Sequence, residues 1–567
     1  MGFVTAAKRS GGGPFHWAGS RTANARDGSA SIAFDGRIDN RRALGALAHE
    51  DDASLALRVY ARDPSRFPQD LVGDFACVVV DHVRDRMLLA RDFLGRRPLY
   101  YAQVNGAVHA STTFEGLLGS GAVSRAKDEA TVAMFLSASP PSDGSTLWAS
   151  IRRVLPGHVV VAERGRLASL RYWAPDLTEE LDVTFEEACR RLEQLLETAV
   201  GETMGTDPAI QLSGGVDSST VAGFCAAAEP RSLRAYAVVF PGHREADESS
   251  YLDAVDAHLG LDVRRLEGAA LPVDDDVSQR SDLPMLPNAG IVHAILNAMT
   301  ADGRKTLLTG DGGDDTLTAS MYVYADLLSS LRWADLRRLV REHRTVPTVT
   351  LGRFPILSYA VRPMVPGRWV AALRQRLGRR AAPQYVRRSF ADRTGLERRL
   401  AFDVRPPHGV SYARFDALAA LRSGWLVHGL EQNAHLYDRF GVQVASPLFD
   451  RRIVELALRL PPAFLSHGQI MKRALVSAAG ARLPSAVARR TTKSDFSHLF
   501  AEALRARART FAARDLAIAD AGFVEPAPLR ALYERTMAQY RAGDPRYAAH
   551  VLTLWMAYSV EKWLTTC

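Results

Sequence analysis

The sequence predicts two domains: a β-rich domain over residues 1–178, and an α/β domain over residues 182–567 whose last part is helical. Three observations carry this. At 567 residues the chain exceeds one ordinary core. From residue 208 onward strand-like and helix-like segments alternate, the rhythm of a parallel, doubly wound sheet. Two loops rich in glycine and acid, Ser213-Gly214-Gly215-Val216-Asp217-Ser218-Ser219 and Gly310-Asp311-Gly312-Gly313-Asp314-Asp315, each follow a strand-like segment. Such sheets bind their ligands at the carboxyl ends of strands.

In the first domain, residues 31–34, 76–81, 87–90 and 158–162 alternate or run apolar like strands, with Asp35-Gly36 and Pro156-Gly157 as turns. Residues 172–176 mark the domain exit. A helix over 185–200 follows, with Thr184 as N-cap. In the second domain, strands are predicted over 209–212, 233–240, 262–266 and 306–309. Helices are predicted from the first loop to about residue 228 and over 249–259 and 291–301. Residues 316–425 read as helices with loops, and 426–567 as helices alone.

Hydrophobic content of 47% and charged content of 24% fit a globular protein. No apolar run reaches the roughly 18 residues of a membrane span. The first seventeen residues lack the apolar centre of a signal peptide. The four cysteines (Cys77, Cys189, Cys225, Cys567) form neither a metal spacing nor a disulfide framework, so a cytoplasmic location is expected. Net charge is +8, yet only six lysines occur. The positive charge is arginine, dense at 331–345 and 362–400: a solvated face, or a docking surface for an acidic partner or peptide. Without interleaved aromatics of the RNA-binding kind, no nucleic acid partner is predicted.

The first loop has its own chemistry. Gly214-Gly215 lets the backbone bend where side chains would clash. A strand, a small-residue loop and a helix N-terminus make an anion-binding turn. The heptapeptide Ser213–Ser219 matches the pyrophosphate loop of the ATP pyrophosphatase superfamily, enzymes that split ATP between its α and β phosphates and adenylate a substrate. The resemblance implies that Ser213, Gly214, Gly215, Ser218 and Ser219 hold the leaving pyrophosphate and that Asp217 holds Mg²⁺. The second loop resembles the S-G-E-G-S-D-E loop of asparagine synthetases. By that match Asp314 is the second Mg²⁺ ligand and Gly310 lies beside the nucleotide. Leu212 and Val239 would flank adenine, and Lys472 would reach the ATP phosphates.

The first domain extends the resemblance. Residues 33–40 (AFDGRIDN) look like the N-G-E-I-Y-N segment of class II glutamine amidotransferases. Residues 71–76, 91–101 and 156–158 resemble further signatures of that domain. The whole chain is thus similar to the asparagine synthetase B family, which implies an α+β Ntn-type glutaminase-like domain followed by an α/β ATP pyrophosphatase-like ligase domain. One departure matters most. Family glutaminases need cysteine as first mature residue, whereas Gly2 follows Met1 here, and Asp35 and Arg37 replace the glutamine-holding pair. No glutaminase activity is expected, and the nitrogen nucleophile should come with the substrate.

Two branches of the family share that loss. Lasso peptide cyclases adenylate an Asp or Glu side chain of a precursor core peptide, which its own N-terminal amine then attacks to close a macrolactam. β-Lactam synthetases close a small molecule in the same way. The lasso branch is the preferred expectation. It implies ATP and Mg²⁺ as cofactors, the core peptide as partner, and a leader peptidase and leader-recognition protein alongside. Small-molecule closure and a non-catalytic peptide-binding pseudoenzyme are the alternatives. By resemblance Lys493 would stabilise the acyl-adenylate step. Glu431, alone or with Asp311, would serve as base for the amine. The Tyr–Glu pair of β-lactam synthetases is not reproduced, because Asp311 stands at the tyrosine's place.

Overall fold

The computed structural model describes residues 6–8, 23–26, 28–228, 233–241, 246–268, 283, 289–344, 354–466, 471–491, 494–513 and 515–567. Along residues 75–81 successive side chains point to opposite faces, and all seven are buried. A strand apolar on both faces must be covered on both, and the first domain supplies both covers.

That domain contains β1 (Ala6–Lys8), β2 (Ala23–Arg26), β3 (Ala30–Gly36), β4 (Phe75–Asp81), β5 (Arg86–Arg91), β6 (Tyr100–Val104), β7 (Ala107–Ser111), β8 (Arg152–Arg153), β9 (His158–Glu163) and β10 (Arg166–Arg171). They form a four-stranded sheet, β1-β7-β6-β8, and a six-stranded sheet, β10-β9-β5-β4-β3-β2. All their pairings are antiparallel. One face of the larger sheet (Ala76, Val78, Val80, Leu89) meets Val108, Ala110 and Val154 of the smaller. Its other face (Ile32, Phe34, Cys77, Val79) packs on α1 (Asp52–Arg62), whose Asp51 N-cap accepts from the Ser54 N–H. Two stacked sheets between helices are the Ntn-type arrangement.

The second domain begins with α2 (Phe185–Thr203), capped by Thr184. Its sheet holds β11 (Pro208–Gln211), β12 (Arg234–Val239), β13 (Asp262–Glu267), β14 (Thr306–Leu308) and β15 (Gln443–Ala445), in the order β13-β12-β11-β14-β15, all parallel. The connecting helices include α3 (Val216–Ala228), α4 (Ser249–Leu259), α5 (Ala289–Ala301) and α6 (Gly424–Phe440). The chain starts at the central β11, winds out to β13, then returns to lay β14 and β15 on the other side. The switch point therefore falls between β11 and β14, where a crevice opens at the strand ends.

β15 corrects the reading of 426–567 as helices alone. Three residues are too few to display a period, and the strand exists because β14 offers it a parallel edge. Elsewhere the C-terminal part is helical through α7 (Ala548–Thr566). That last helix returns to the first domain, where Trp563 meets Trp148 edge to face at 5.4 Å. No helix among the described residues is long and apolar enough to cross a membrane.

Candidate active site

Both glycine-acid loops leave neighbouring strands at the switch point, since β11 and β14 pair directly. They touch there. Gly310 lies against the backbone at Ser218 and Gly313 against the Asp217 carboxyl, so closely that neither has room for a Cβ. The contact brings Asp217, in the first turn of α3, beside Asp314. Lys472 completes the cluster: its Nζ donates to Asp217 and lies 2.6 Å from Asp314 Oδ1. Burial alone would lower the Lys472 pKa, but Asp217 and Asp314 outweigh it and hold it above the usual lysine value. Lys472 also has φ +55°, an uncommon conformation for a residue with a side chain. The side chain of Asp314 is half exposed, so the cluster is open to solvent.

Two carboxylates meet one ammonium here, and Gly313, lacking a Cβ, admits the Asp217 carboxyl. This suits a divalent cation. Among the described residues no third Asp, Glu, His or Cys joins them in a metal-binding group, so a cation there would take its remaining oxygens from phosphate and water.

The first loop is internally braced. Ser213 Oγ lies 3.0 Å from Ser218 Oγ, the Ser213 N–H donates to Ser218 Oγ (3.2 Å), and the Gly215 N–H donates to Ser213 Oγ (3.4 Å). Ser213 is exposed, while Ser218 and Ser219 are buried. The buried Ser219 hydroxyl has no partner among the described residues. Leu212 and Val239 are buried at the ends of neighbouring strands. Arg490, which sequence reasoning passed over, ties the loop to the C-terminal part. It donates to the Gly214 carbonyl (3.2 Å), Glu248 (2.6 Å) and Ser494 Oγ (2.9 Å), and it covers the Tyr251 ring. Lys493 lies outside the described residues.

Glu431, expected as a base, stands at the domain junction. It meets side chains of the first domain and is 0% exposed. Arg153 donates to it at 2.6 and 2.9 Å, Arg91 lies at 2.8 Å, and the Tyr100 hydroxyl donates at 2.9 Å. Burial would raise its pKa, but the two guanidiniums override this and hold it at about 2. A carboxylate so paired makes a poor base. Sequence reasoning missed this because both arginines lie hundreds of residues upstream. His293 of α5 sits edge-on to Phe440 of α6.

Asp311 is exposed and accepts from the Thr309 hydroxyl at 2.9 Å. It lines a polar cavity of about 370 Å³ between the domains, together with Asp35, Arg37, Arg97, Tyr437 and Asp438. Burial and then the Asp311 charge push the Tyr437 phenol up. Asp35 and Arg37, which the resemblance sets at the glutamine-holding positions, both make ion pairs. Asp35 pairs with Arg97 (2.8 Å), which also pairs with Asp438 of α6 (3.1 Å). Arg37 pairs with Asp39 (2.6 Å) and donates to the Val444 carbonyl of β15. Cys77 is sealed inside β4, where burial pushes its thiol up.

An Ntn-type amidotransferase domain joined to an α/β domain with paired glycine-acid loops at its switch point defines a class of two-domain proteins, with an amidotransferase fold followed by an ATP pyrophosphatase-like fold. The chain belongs to the asparagine synthase family: the asparagine synthase model matches residues 191–565, and a glutamine amidotransferase domain model matches residues 18–173. Among curated relatives it is similar to amidase chyE of Penicillium rubens, 27% identical over 56% of this chain and 50% of the relative. It is also similar to carboxyethyl-arginine beta-lactam-synthase of Streptomyces clavuligerus, 30% identical over 49% of this chain and 54% of the relative. A third relative is asparagine synthetase [glutamine-hydrolyzing] 3 of Bacillus subtilis, 24% identical over 35% of this chain and 34% of the relative. The chain spans about half the length of the first curated relatives it matches, or less.

Proposed function

We propose that the protein forms an amide bond at the expense of ATP, by adenylating a carboxylate and passing the acyl group to an amine of the same substrate. The observation that carries this reading is the convergence of Asp217, Asp314 and Lys472 on one point between the two strand-end loops. The substrate carboxylate oxygen attacks the α-phosphorus of ATP, and pyrophosphate leaves into the loop of residues 213–219. The amine then attacks the acyl carbon, AMP departs with the bonding electrons, and the amine loses a proton. Mg²⁺, held by Asp217 and Asp314, supplies neutralisation of phosphate charge when bound. Lys472 supplies a second positive charge at the same place, and Lys493 one at the acyl adenylate.

For the finer identity we propose a lasso-type cyclase, which acts on an Asp or Glu side chain and the N-terminal amine of a core peptide. It would work beside a leader peptidase and a leader-recognition protein in the cytoplasm. The first domain supports this reading, because Asp35 and Arg37 are engaged in ion pairs where a glutaminase would hold glutamine. The amine must then arrive with the substrate. With Glu431 held between Arg91 and Arg153, Asp311 is the proposed acceptor for the amine proton. The similarity to a β-lactam synthase favours a second reading, closure of a small molecule.

Pyrophosphate release from Mg·ATP separates the readings. Release that requires a leaderless peptide, with a product one water lighter, supports the cyclase. Release that requires only a small β-amino acid supports the second reading. ATP binding without release under either condition would sink both.

A further inference from the structure

Residues 331–405 differ in kind from the rest of the sequence. They hold eighteen arginines, no lysine and five acidic residues, a net charge of +13 in a chain whose total is +8. Four of the five acids are engaged within the stretch: Asp335 pairs with Arg332 and Arg338, Glu342 with Arg338, Glu397 with Arg380, and Asp403 with Arg405. The same stretch also gathers exposed apolar surface. Of fourteen large hydrophobic side chains exposed among the described residues, ten lie between Leu331 and Phe402. Scattered apolar side chains on a surface need no explanation, but a concentration of them does.

The helix Gly367–Arg376 organises this surface. Trp369, Leu373 and Leu377, four residues apart and so on one face, are 62%, 58% and 62% exposed. Arg374 and Arg376 flank that face and are exposed. Phe402 adds to it, since its backbone lies against Gly367 too closely for a side chain there. The turns of residues 356–364 lead directly into the helix and carry exposed Leu357.

We propose that this face binds an anionic lipid surface, with the helix Gly367–Arg376 lying in the plane of the headgroups. A stripe of Trp and Leu edged by arginines matches such a boundary on both sides: apolar groups enter the acyl region and guanidiniums meet phosphates. Tryptophan settles at membrane interfaces because one end of its ring system is apolar and the other wet. A protein partner is normally anchored by side chains seated in pockets. No residue of 331–405 lines either described cavity, and a lipid surface needs no pocket. The proposal goes beyond the ligase reading and does not depend on it.

Vesicle flotation of the full chain tests it. Vesicles of phosphatidylcholine alone are compared with vesicles containing about 30% phosphatidylglycerol, at low salt and at about 0.5 M salt. The expected result is flotation with the anionic vesicles only, lost at high salt. The triple variant Trp369→Ser, Leu373→Ser, Leu377→Ser keeps every charge and should bind at least tenfold more weakly. Arg374→Gln with Arg376→Gln should weaken binding as well. Both sets of positions are exposed, and unchanged circular dichroism and melting would establish that the variants fold. No flotation, equal flotation with neutral vesicles, or undiminished binding by the triple variant would overturn the proposal. So would capture of a synthetic acidic amphipathic helix at this face without vesicle binding, which would assign the face to a protein partner.

Discussion

Two clusters in this molecule join carboxylates to cations across long stretches of sequence, and they are built in opposite ways. At the switch point two carboxylates, Asp217 and Asp314, share one ammonium, and one of them is half exposed. At the domain junction one carboxylate, Glu431, is shared by two guanidiniums, and all three are buried. There the remaining donors end on carbonyls: Arg91 on those of Arg97 (2.7 Å) and Val154 (2.9 Å), Arg153 on that of Ser145 (2.9 Å). The first cluster sets two carboxylates around one ammonium and is open to solvent at Asp314, where a cation or phosphate can approach. The second has donors matched to acceptors and no opening. Charged residues alone did not distinguish a site from a clamp. The balance of charge and the access to it do.

The largest effect should come from the open cluster. Asp217→Ala or Asp314→Ala should lower pyrophosphate release by about 1000-fold or more while melting within a few degrees of the parent, because a metal ligand is lost and little packing is. Normal turnover in either variant would remove the metal assignment. The sealed cluster should answer the other way round. Glu431→Ala leaves two buried guanidiniums without their carboxylate and should cost about 3–5 kcal/mol of stability. Activity per folded molecule should stay within about twofold, since no reacting group is touched. Denaturant unfolding and active-fraction titration read the two quantities separately. A stable but inactive Glu431→Ala would restore the residue to catalysis.

Lys472→Met is the sharper comparison within the open cluster. It removes the ammonium from Asp217 and Asp314, so about 100-fold should be lost in turnover through the missing charge on the phosphates. In addition, Mg²⁺ alone should raise the melting temperature of the variant more than that of the parent, because the parent already holds an ammonium where the ion's charge is needed. Equal Mg²⁺ responses would mean that the lysine and the metal do not share this charge.

How much was legible in the sequence follows from the range of the interactions. The strand-loop-helix at residues 208–228 and the helix Ser249–Leu259 are local structures, written in local patterns. The two loops could be placed at strand ends by the same means. Their mutual contact at Gly310 and Gly313 depends on β11 and β14 being neighbours, which no local pattern states. β15 was hidden for the same reason, since its partner lies far upstream. Glu431 was read as a base from a family resemblance, which does not state which cations pack against it. Only the fold brings Arg91 and Arg153 to it. Tyr437 and Asp438 entered the inter-domain cavity unannounced, on the same helix and one to two turns further along.

The pH dependence separates the clusters most gently, and with opposite signs. Beside Glu431, His428 is fully sealed: burial, then the Arg153 charge, hold its pKa at about 3, against 6.5 when exposed. Both values are depressed in the folded state, so each group's contribution is complete above its unfolded pKa and is lost as pH falls. For His428 the loss runs from 6.5 down to about 3, and for Glu431 from 4.5 down to about 2. One group changes stability by at most about 1.4 kcal/mol per pH unit, so melting temperature should decline steadily below pH 6.5 rather than collapse. Lys472 has the raised value, so its contribution is complete below 10.5 and is lost only in strong alkali. A His428→Gln variant should therefore flatten the profile between pH 6.5 and 4.5 and leave the alkaline limb untouched. A parent protein whose melting temperature is level from pH 7 to 4.5 would mean that His428 takes up its proton within the fold. The junction would then be wet, and the contrast between a sealed clamp and an open site would lose its basis.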